Sequence, residues 1–385
     1  MSGARDVVIV GGGIVGASVA YHLLERDHRL RVVLLEREGE VGTGATAKAT
    51  GGVRHQFSSE ANVRLTLLSY PYFRDAPSRL GRTVDFVAHG YVFVTANPAT
   101  LRASARAVAL QRALGVASEI VGARDLARFL PALVTDDLAG GSFCAADGSA
   151  DPHALLHAFL AIARSRGLEV RTGLPVTAVL QDHGRVAGVT TAAGELQAPI
   201  VVNCAGPRAD EVGALAGVDI PSKPYRRQVV VTEPLPLLPE VFPLIVDLDT
   251  GWYVHRQGKA AVLMGGTDRD QHPGHDAVVD WNALGPVFEA AARRVPPLAE
   301  ARVVRVYAGV RDLTPDYHGI LGPAPGLPGF YVACGFSGHG FMHAPAIGLL
   351  MAELILDGRA RSMDIAPMAL DRFARGGGTV EANMF

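Results

Sequence analysis

The stretch that most constrains this chain is its start. Val7-Val8-Ile9-Val10 runs into Gly11-Gly12-Gly13-Ile14-Val15-Gly16, then a helical segment, then Val32-Val33-Leu34-Leu35-Glu36. A short β-branched apolar run predicts a buried parallel strand. The glycines at 11, 13 and 16 fit G-x-G-x-x-G, and each has a physical task. Gly11 makes the tight turn, Gly13 lets the backbone approach a pyrophosphate, and Gly16 lets the helix pack on the strand. The helix N-terminus offers free N–H groups and the positive dipole end to that pyrophosphate. Glu36 follows Gly16 by twenty residues, the spacing at which a carboxylate meets ribose hydroxyls. Strand, turn, helix and acid together predict a Rossmann-type dinucleotide site. The acid favours FAD or NAD over NADP.

A length of 385 residues predicts about two domains. An apolar share of 49% against 19% charged residues supplies a large core, and the 44 glycines suit an α/β enzyme with many backbone-to-ligand approaches. A net charge of −2 gives no basic footprint, so no nucleic acid partner is expected. Cys144, Cys204 and Cys334 are odd in number, far apart and in apolar surroundings. They read as reduced core thiols of a cytoplasmic protein. The first strand begins near Val7, so no signal peptide is expected. Glycines, Ser18 and His22 within 7–24 argue against a transmembrane segment.

Between Val41 and His55 the chain is rich in Gly, Ala and Thr. This predicts a loop laid flat along a planar ligand, with Arg54 as a charge near it. Helices are expected at 60–74, 100–114 and 124–129, and strands at 84–87 and 91–94. Asp151-Pro152 caps a helix to Arg166. Strands follow at 169–171, 176–180, 186–190 and 200–203. The last runs into Cys204-Ala205-Gly206-Pro207, a second small-residue turn at a strand end. The segments at 225–231, 252–255 and 261–266 predict an antiparallel or mixed sheet, covered by a helix over 281–294. The strand at 330–334 ends in Gly335-Phe336-Ser337-Gly338-His339-Gly340-Phe341-Met342 and feeds a helix from His343 to Leu356. This third glycine turn at a helix N-terminus suits a flavin, whose pyrimidine end is negative when reduced.

Ala308-Gly309-Val310-Arg311 with Thr314-Pro315-Asp316, then Gly335 to Gly340, resembles the D-amino acid oxidase family of FAD enzymes. The loop at 44–55 is similar to the sarcosine and proline branch of that family. The resemblance covers nearly the whole chain. It implies an α/β fold: a discontinuous Rossmann-type FAD-binding domain with a second α+β substrate domain built on a mixed or antiparallel sheet. The boundaries are placed at 1–84, 148–222 and 303–385 for the first domain, and at 85–147 and 223–302 for the second. Cofactor contacts are implied at Gly11, Gly13, Ile14, Val15, Gly16, Glu36 and Arg37. They are implied again at Gly44, Ala45, Thr46, Thr50, Gly51, Gly52, Val176, Ala205, Gly206 and Gly309. The third glycine turn adds Gly335, Ser337, Gly338, His339, Gly340, Phe341 and Met342.

The implied reaction is oxidation of the C–N bond of a small amino acid or N-methyl amino acid by hydride transfer to flavin N5, giving an imine that hydrolyses. Arg311 stands where relatives bind the substrate carboxylate. Arg54 matches a second carboxylate ligand, and Tyr253 matches an aromatic hydroxyl of the site. Met342 replaces a lysine of the sarcosine oxidases. Gly309 and Lys48 stand where branches of the family attach FAD covalently, which implies non-covalent FAD here. Leu263 replaces a lysine that promotes reaction with O2, and Lys259 lies four residues before it. The electron acceptor is therefore O2 or, more in keeping with Leu263, a redox partner.

Two other classes fit parts of the sequence. Gly335-Phe336-Ser337-Gly338-His339 nearly spells a hydrolase elbow, but that motif needs glycine where His339 stands. A flavoprotein subunit or assembly factor of a larger redox complex remains the alternative, against which Arg311 argues. His55, His255, His318 and His343 show no metal spacing, and no metal is expected.

Overall fold

The computed structural model describes residues 5–257, 261–267, 271–376 and 378–383. A six-stranded sheet is laid down in the order Ile320–Pro323, Phe330–Cys334, Ile200–Asn203, Val7–Val10, Val32–Leu35, Glu169–Arg171. Its pairs are parallel except for Ile320–Pro323, which runs against Phe330–Cys334. The strands from Val7 and Val32 are buried throughout, as a sheet covered on both faces requires.

The helix Ile14–Arg26 leaves the first glycine turn and packs between the helices Pro152–Ser165 and Gly340–Asp357. Gly348 allows the closest approach, since a Cβ there would meet Ser18. Among the described residues, one helix, Gly340–Asp357, is long and apolar enough to cross a membrane, and 67% of it is buried inside the fold.

An eight-stranded mixed sheet forms the second layer system. Its order is Val303–Leu313, Lys223–Thr232, Ala261–Gly265, Tyr253–Gln257, Leu244–Asp247, Tyr91–Thr95, Gly140–Cys144, Ser118–Gly122. One pair, Leu244–Asp247 with Tyr91–Thr95, is parallel. Strand alternation gives the sheet two faces. Val92, Val230, Ile245, Val254, Val262 and Met264 pack with Val287 and Ala291 of the helix Gly285–Arg294. Tyr91, Phe93, Val246 and Tyr253 cluster on the opposite face.

Several expectations need correction. Val303–Leu313, expected in the first domain, pairs antiparallel with Lys223–Thr232 along its whole length and so joins the eight-stranded sheet. The strand expected at 84–87 is a single bridge between Val87 and Ser149. Asp85 sits at φ 50°, which breaks an extended run. Residues Ala123–Arg128 form a 3-10 helix. The loop at 41–55 holds a short helix, Ala45–Lys48, and a short strand, Gly52–Val53, paired with Gly148–Ser149. A strand that the sequence did not signal, Gly194–Gln197, completes a three-stranded antiparallel sheet with Arg185–Thr191 and Val176–Asp182. The last long helix starts at Gly340, three residues earlier than expected.

Candidate active site

A cavity of about 460 Å³ runs between the two sheets. Its nucleotide end is built by backbone conformation. Gly11 has φ 115°, and a side chain there would overlap the Cys204 carbonyl. A side chain at Gly16 would overlap the Gly11 carbonyl, so this turn closes only on glycine. Ile14 N donates to Thr46 Oγ1 at 3.1 Å, tying the loop to the helix start. Glu36 accepts from Gly12 N and from Glu38 N, each at 2.8 Å. Its carboxylate is thereby fixed in the cavity wall beside Arg37.

The middle of the cavity is floored by 42–52. Open space surrounds the Cβ position of Gly44, while side chains at Gly51 and Gly52 would overlap the Ala150 carbonyl and the Tyr91 hydroxyl. Ala205 and Gly206 line the opposite side. This long groove fits a dinucleotide carrying a flat ring system: a helix N-terminus for the diphosphate, an acid for the ribose, and a floor of small residues apart from Lys48.

The far end holds the chemistry-bearing side chains. Gly309, Val310, Arg311 and Asp312 of the strand Val303–Leu313 line the cavity, as do Tyr253 and Val229. Burial lowers the Arg311 guanidinium from its ordinary value, while Tyr253 and Tyr91 nearby act the other way. Gly338, at φ 87°, lets this arginine pass: a Cβ there would stand 3.1 Å from Arg311 Cδ, Nε and Nη1. The turn around it is fixed by Asp312, whose carboxylate accepts from Gly335 N at 2.6 Å and whose carbonyl accepts from Ser337 N at 2.9 Å. Burial pushes the Asp312 carboxyl up to about 6. Burial also raises the hydroxyls of Tyr253 and Tyr91 above the usual phenol range.

Arg54 is 1% exposed. It donates to the carbonyls of Gln56 and Asn383, lies against His339 Nε2, and sits over the Phe57 ring. Burial lowers its guanidinium to about 10. It lines the cavity, as do His339, Gly340, Phe341 and Met342.

Most residues named from the sequence are thus brought to one cavity. Gly16 supports it from behind. Gly335, Ser337 and Val176 do not line it. Ser337 instead adopts φ 53° and accepts from Thr314 N at 3.3 Å, holding the turn. Val176 packs with Val179 and Val189 of the small sheet. Tyr91, Arg227 and Lys48 line the cavity and were not named as site residues. No signal in the sequence selects Tyr91, because Val92 and Val94 make the other face of its strand equally apolar. Leu263 is buried in its strand, opposite His255 and Val231, and Lys259 lies outside the described residues.

Away from the cavity, His55, Cys144 and Asp147 offer three ligand atoms within 4.8 Å of one another. Asp147 is already engaged by His55 N and Nδ1, both at 2.7 Å, and by Gln56 Nε2 at 3.1 Å. That is a hydrogen-bonded clasp between the loop and the second sheet.

The profile of the DAO family, FAD dependent oxidoreductase, matches residues 6–354. The chain is 31% identical to mitochondrial sarcosine dehydrogenase of Homo sapiens over 371 residues, covering 92% of this chain and 40% of that protein. It therefore spans about 40% of the length of the curated relatives it first matches. It is 27% identical to a mitochondrial pyruvate dehydrogenase phosphatase regulatory subunit of Mus musculus over 382 residues, covering 96% of this chain and 43% of that one. The crystal structure of L-proline dehydrogenase from P. horikoshii superposes with a TM-score of 0.91 at 28% identity, covering 98% of this chain and 100% of the other.

Proposed function

Because this chain belongs to the DAO family of FAD-dependent oxidoreductases, we propose that it oxidises the C–N bond of a small amino acid or secondary amino acid. The observation that carries this reading is Arg311. It lies in the cavity wall against Gly338, with the hydroxyl-bearing rings of Tyr253 and Tyr91 nearby. A guanidinium fork pairs both oxygens of a carboxylate and so fixes the orientation of the carbon beside it. The chemistry that FAD supplies when bound is acceptance of a hydride from that carbon.

The chain's own groups do the rest. Tyr253 is held protonated by burial, so it acts as a hydrogen-bond donor and not as a base. The substrate amine enters neutral or gives its proton to water. Arg54 is engaged by backbone carbonyls and His339, and the substrate carboxylate is assigned to Arg311. Gly309 and Lys48 provide neither the thiol nor the imidazole of a flavin tether, so FAD is held non-covalently. Reoxidation is assigned to a redox partner ahead of O2, because Leu263 puts an apolar side chain where the oxidase branch has a lysine.

Likeness to a regulatory subunit favours a second reading, a flavoprotein with little turnover. A carboxylate-binding test separates the two. Titrating holoenzyme with a non-reducing carboxylate such as acetate should perturb the flavin absorption spectrum saturably in the native protein and at least tenfold more weakly in Arg311→Met. An unperturbed spectrum in the native protein counts against the amino acid site.

A further inference from the structure

We propose that Arg54 is a positioning residue for His339, fixing its ring in the tautomer that carries hydrogen on Nδ1, and that the chain's own C-terminal segment holds Arg54 for this task. The inference concerns the protein's internal hydrogen bonding and stands apart from the substrate assignment.

Residues 378–383 fold back over the segment that follows the cavity floor. Glu381 accepts from Ser58 N at 2.7 Å, Ser58 Oγ at 2.6 Å, Ser59 N at 3.2 Å, Ser59 Oγ at 2.8 Å and Asn62 Nδ2 at 3.1 Å. It thus caps the helix Glu60–Ser69 with a negative charge at the positive end of its dipole. Glu381 is 1% exposed, and its charge also faces Arg54. The tail is pinned further by Ala382 N to Ser58 Oγ at 2.8 Å, by Asn383 Nδ2 to Gln56 O at 3.2 Å and by Glu381 N to the Asp316 carbonyl at 3.1 Å.

That anchoring presents the Asn383 carbonyl to Arg54 Nη2 at 2.7 Å. The same Nη2 stands 3.2 Å from His339 Nε2. A guanidinium nitrogen has hydrogens to give and no lone pair to offer. Nη2 carries two hydrogens, enough to give one to each of these two neighbours. His339 Nε2 must therefore be the unprotonated nitrogen, which leaves the hydrogen of the neutral ring on Nδ1. The charged and titratable groups facing His339 are Arg54, Arg311, His343 and His318, and burial acts with them to hold the ring neutral, well below the usual imidazole range. Phe57 packs edge-on against the ring at 4.7 Å. His339 lines the cavity one residue before the helix Gly340–Asp357, so a fixed Nδ1–H sits beside that helix N-terminus.

The test is the long-range proton–nitrogen spectrum of histidine-labelled protein, purified with its flavin, between pH 6 and 8. Loss of one spin system in His339→Gln assigns the signal. The expected result is an Nδ1–H tautomer at His339 that does not titrate over this range. Arg54→Met should release Nε2, moving its resonance from the unprotonated position towards the tautomer average. Glu381→Gln should do the same by loosening the tail. An Nε2–H tautomer in the native protein overturns the proposal, and so does an unchanged Nδ1–H signal in both variants. Should Arg54→Met not fold, the native tautomer and Glu381→Gln still decide.

Discussion

Lys48 and Gly309, 261 residues apart in sequence, occupy one spot on the cavity wall: a Cβ on Gly309 would stand 2.5 Å from Lys48 Cβ. The family resemblance marks each position, by different branches, as a place where flavin is tethered. Both line the cavity, and neither residue offers a thiol or imidazole. Acid precipitation should therefore leave a colourless pellet and put intact FAD in the supernatant. Flavin retained on the denatured polypeptide would refute the non-covalent account.

Arg311→Met should weaken substrate binding while leaving the FAD content unchanged. A charge-assisted pair to a carboxylate contributes about 1.5–3 kcal/mol, so kcat/KM should fall at least tenfold. Steady-state kinetics with the best amine substrate, alongside the ratio of flavin to protein absorbance, checks both parts. Unchanged kinetics would return the carboxylate to Arg54.

Gly338→Ala tests how the clamp is positioned. The backbone at φ 87° penalises any side chain, and the added methyl would crowd Arg311 at 3.1 Å. A left-handed non-glycine residue costs roughly 1–2 kcal/mol. The variant should melt a few degrees lower and bind substrate more weakly. Native kinetics with native melting would show that Arg311 does not need this gap.

The local parts of this site were legible in the sequence. Gly11, Gly13, Gly16 and Glu36 work through neighbours in one strand–turn–helix unit, so their spacing carries the geometry. The third glycine turn was legible for the same reason. Long-range pairing was not. Val303–Leu313 reads as a strand, but nothing in its residues says that its partner is Lys223–Thr232. In Tyr91-Val92-Phe93-Val94 both faces are apolar, so periodicity could not tell which one looks into the cavity. Nothing in the sequence singles out Glu381. Only the fold shows it buried on Ser58, Ser59 and Asn62.

Asp312 gives the fold a pH dependence. Burial raises its carboxyl from an ordinary value of 3.8 to about 6. Between those values the folded state binds the proton and the unfolded chain does not, so stability falls as pH rises through this window. The contribution amounts to up to about 3 kcal/mol. Asp312→Asn keeps an acceptor for Gly335 N and removes the charge. It should melt higher than the native protein at pH 7.5, and the difference should vanish near pH 4. Equal melting temperatures at pH 7.5 would contradict the desolvated carboxyl.

The most direct measurement is anaerobic mixing of the yellow holoenzyme with a panel of small amino acids: glycine, sarcosine, proline and D-amino acids. The account predicts that at least one of them bleaches the flavin band to the fully reduced spectrum, and that the same compound leaves Arg311→Met oxidised at equal concentration. A flavin that dithionite reduces but no amino or N-methyl amino acid bleaches would contradict it.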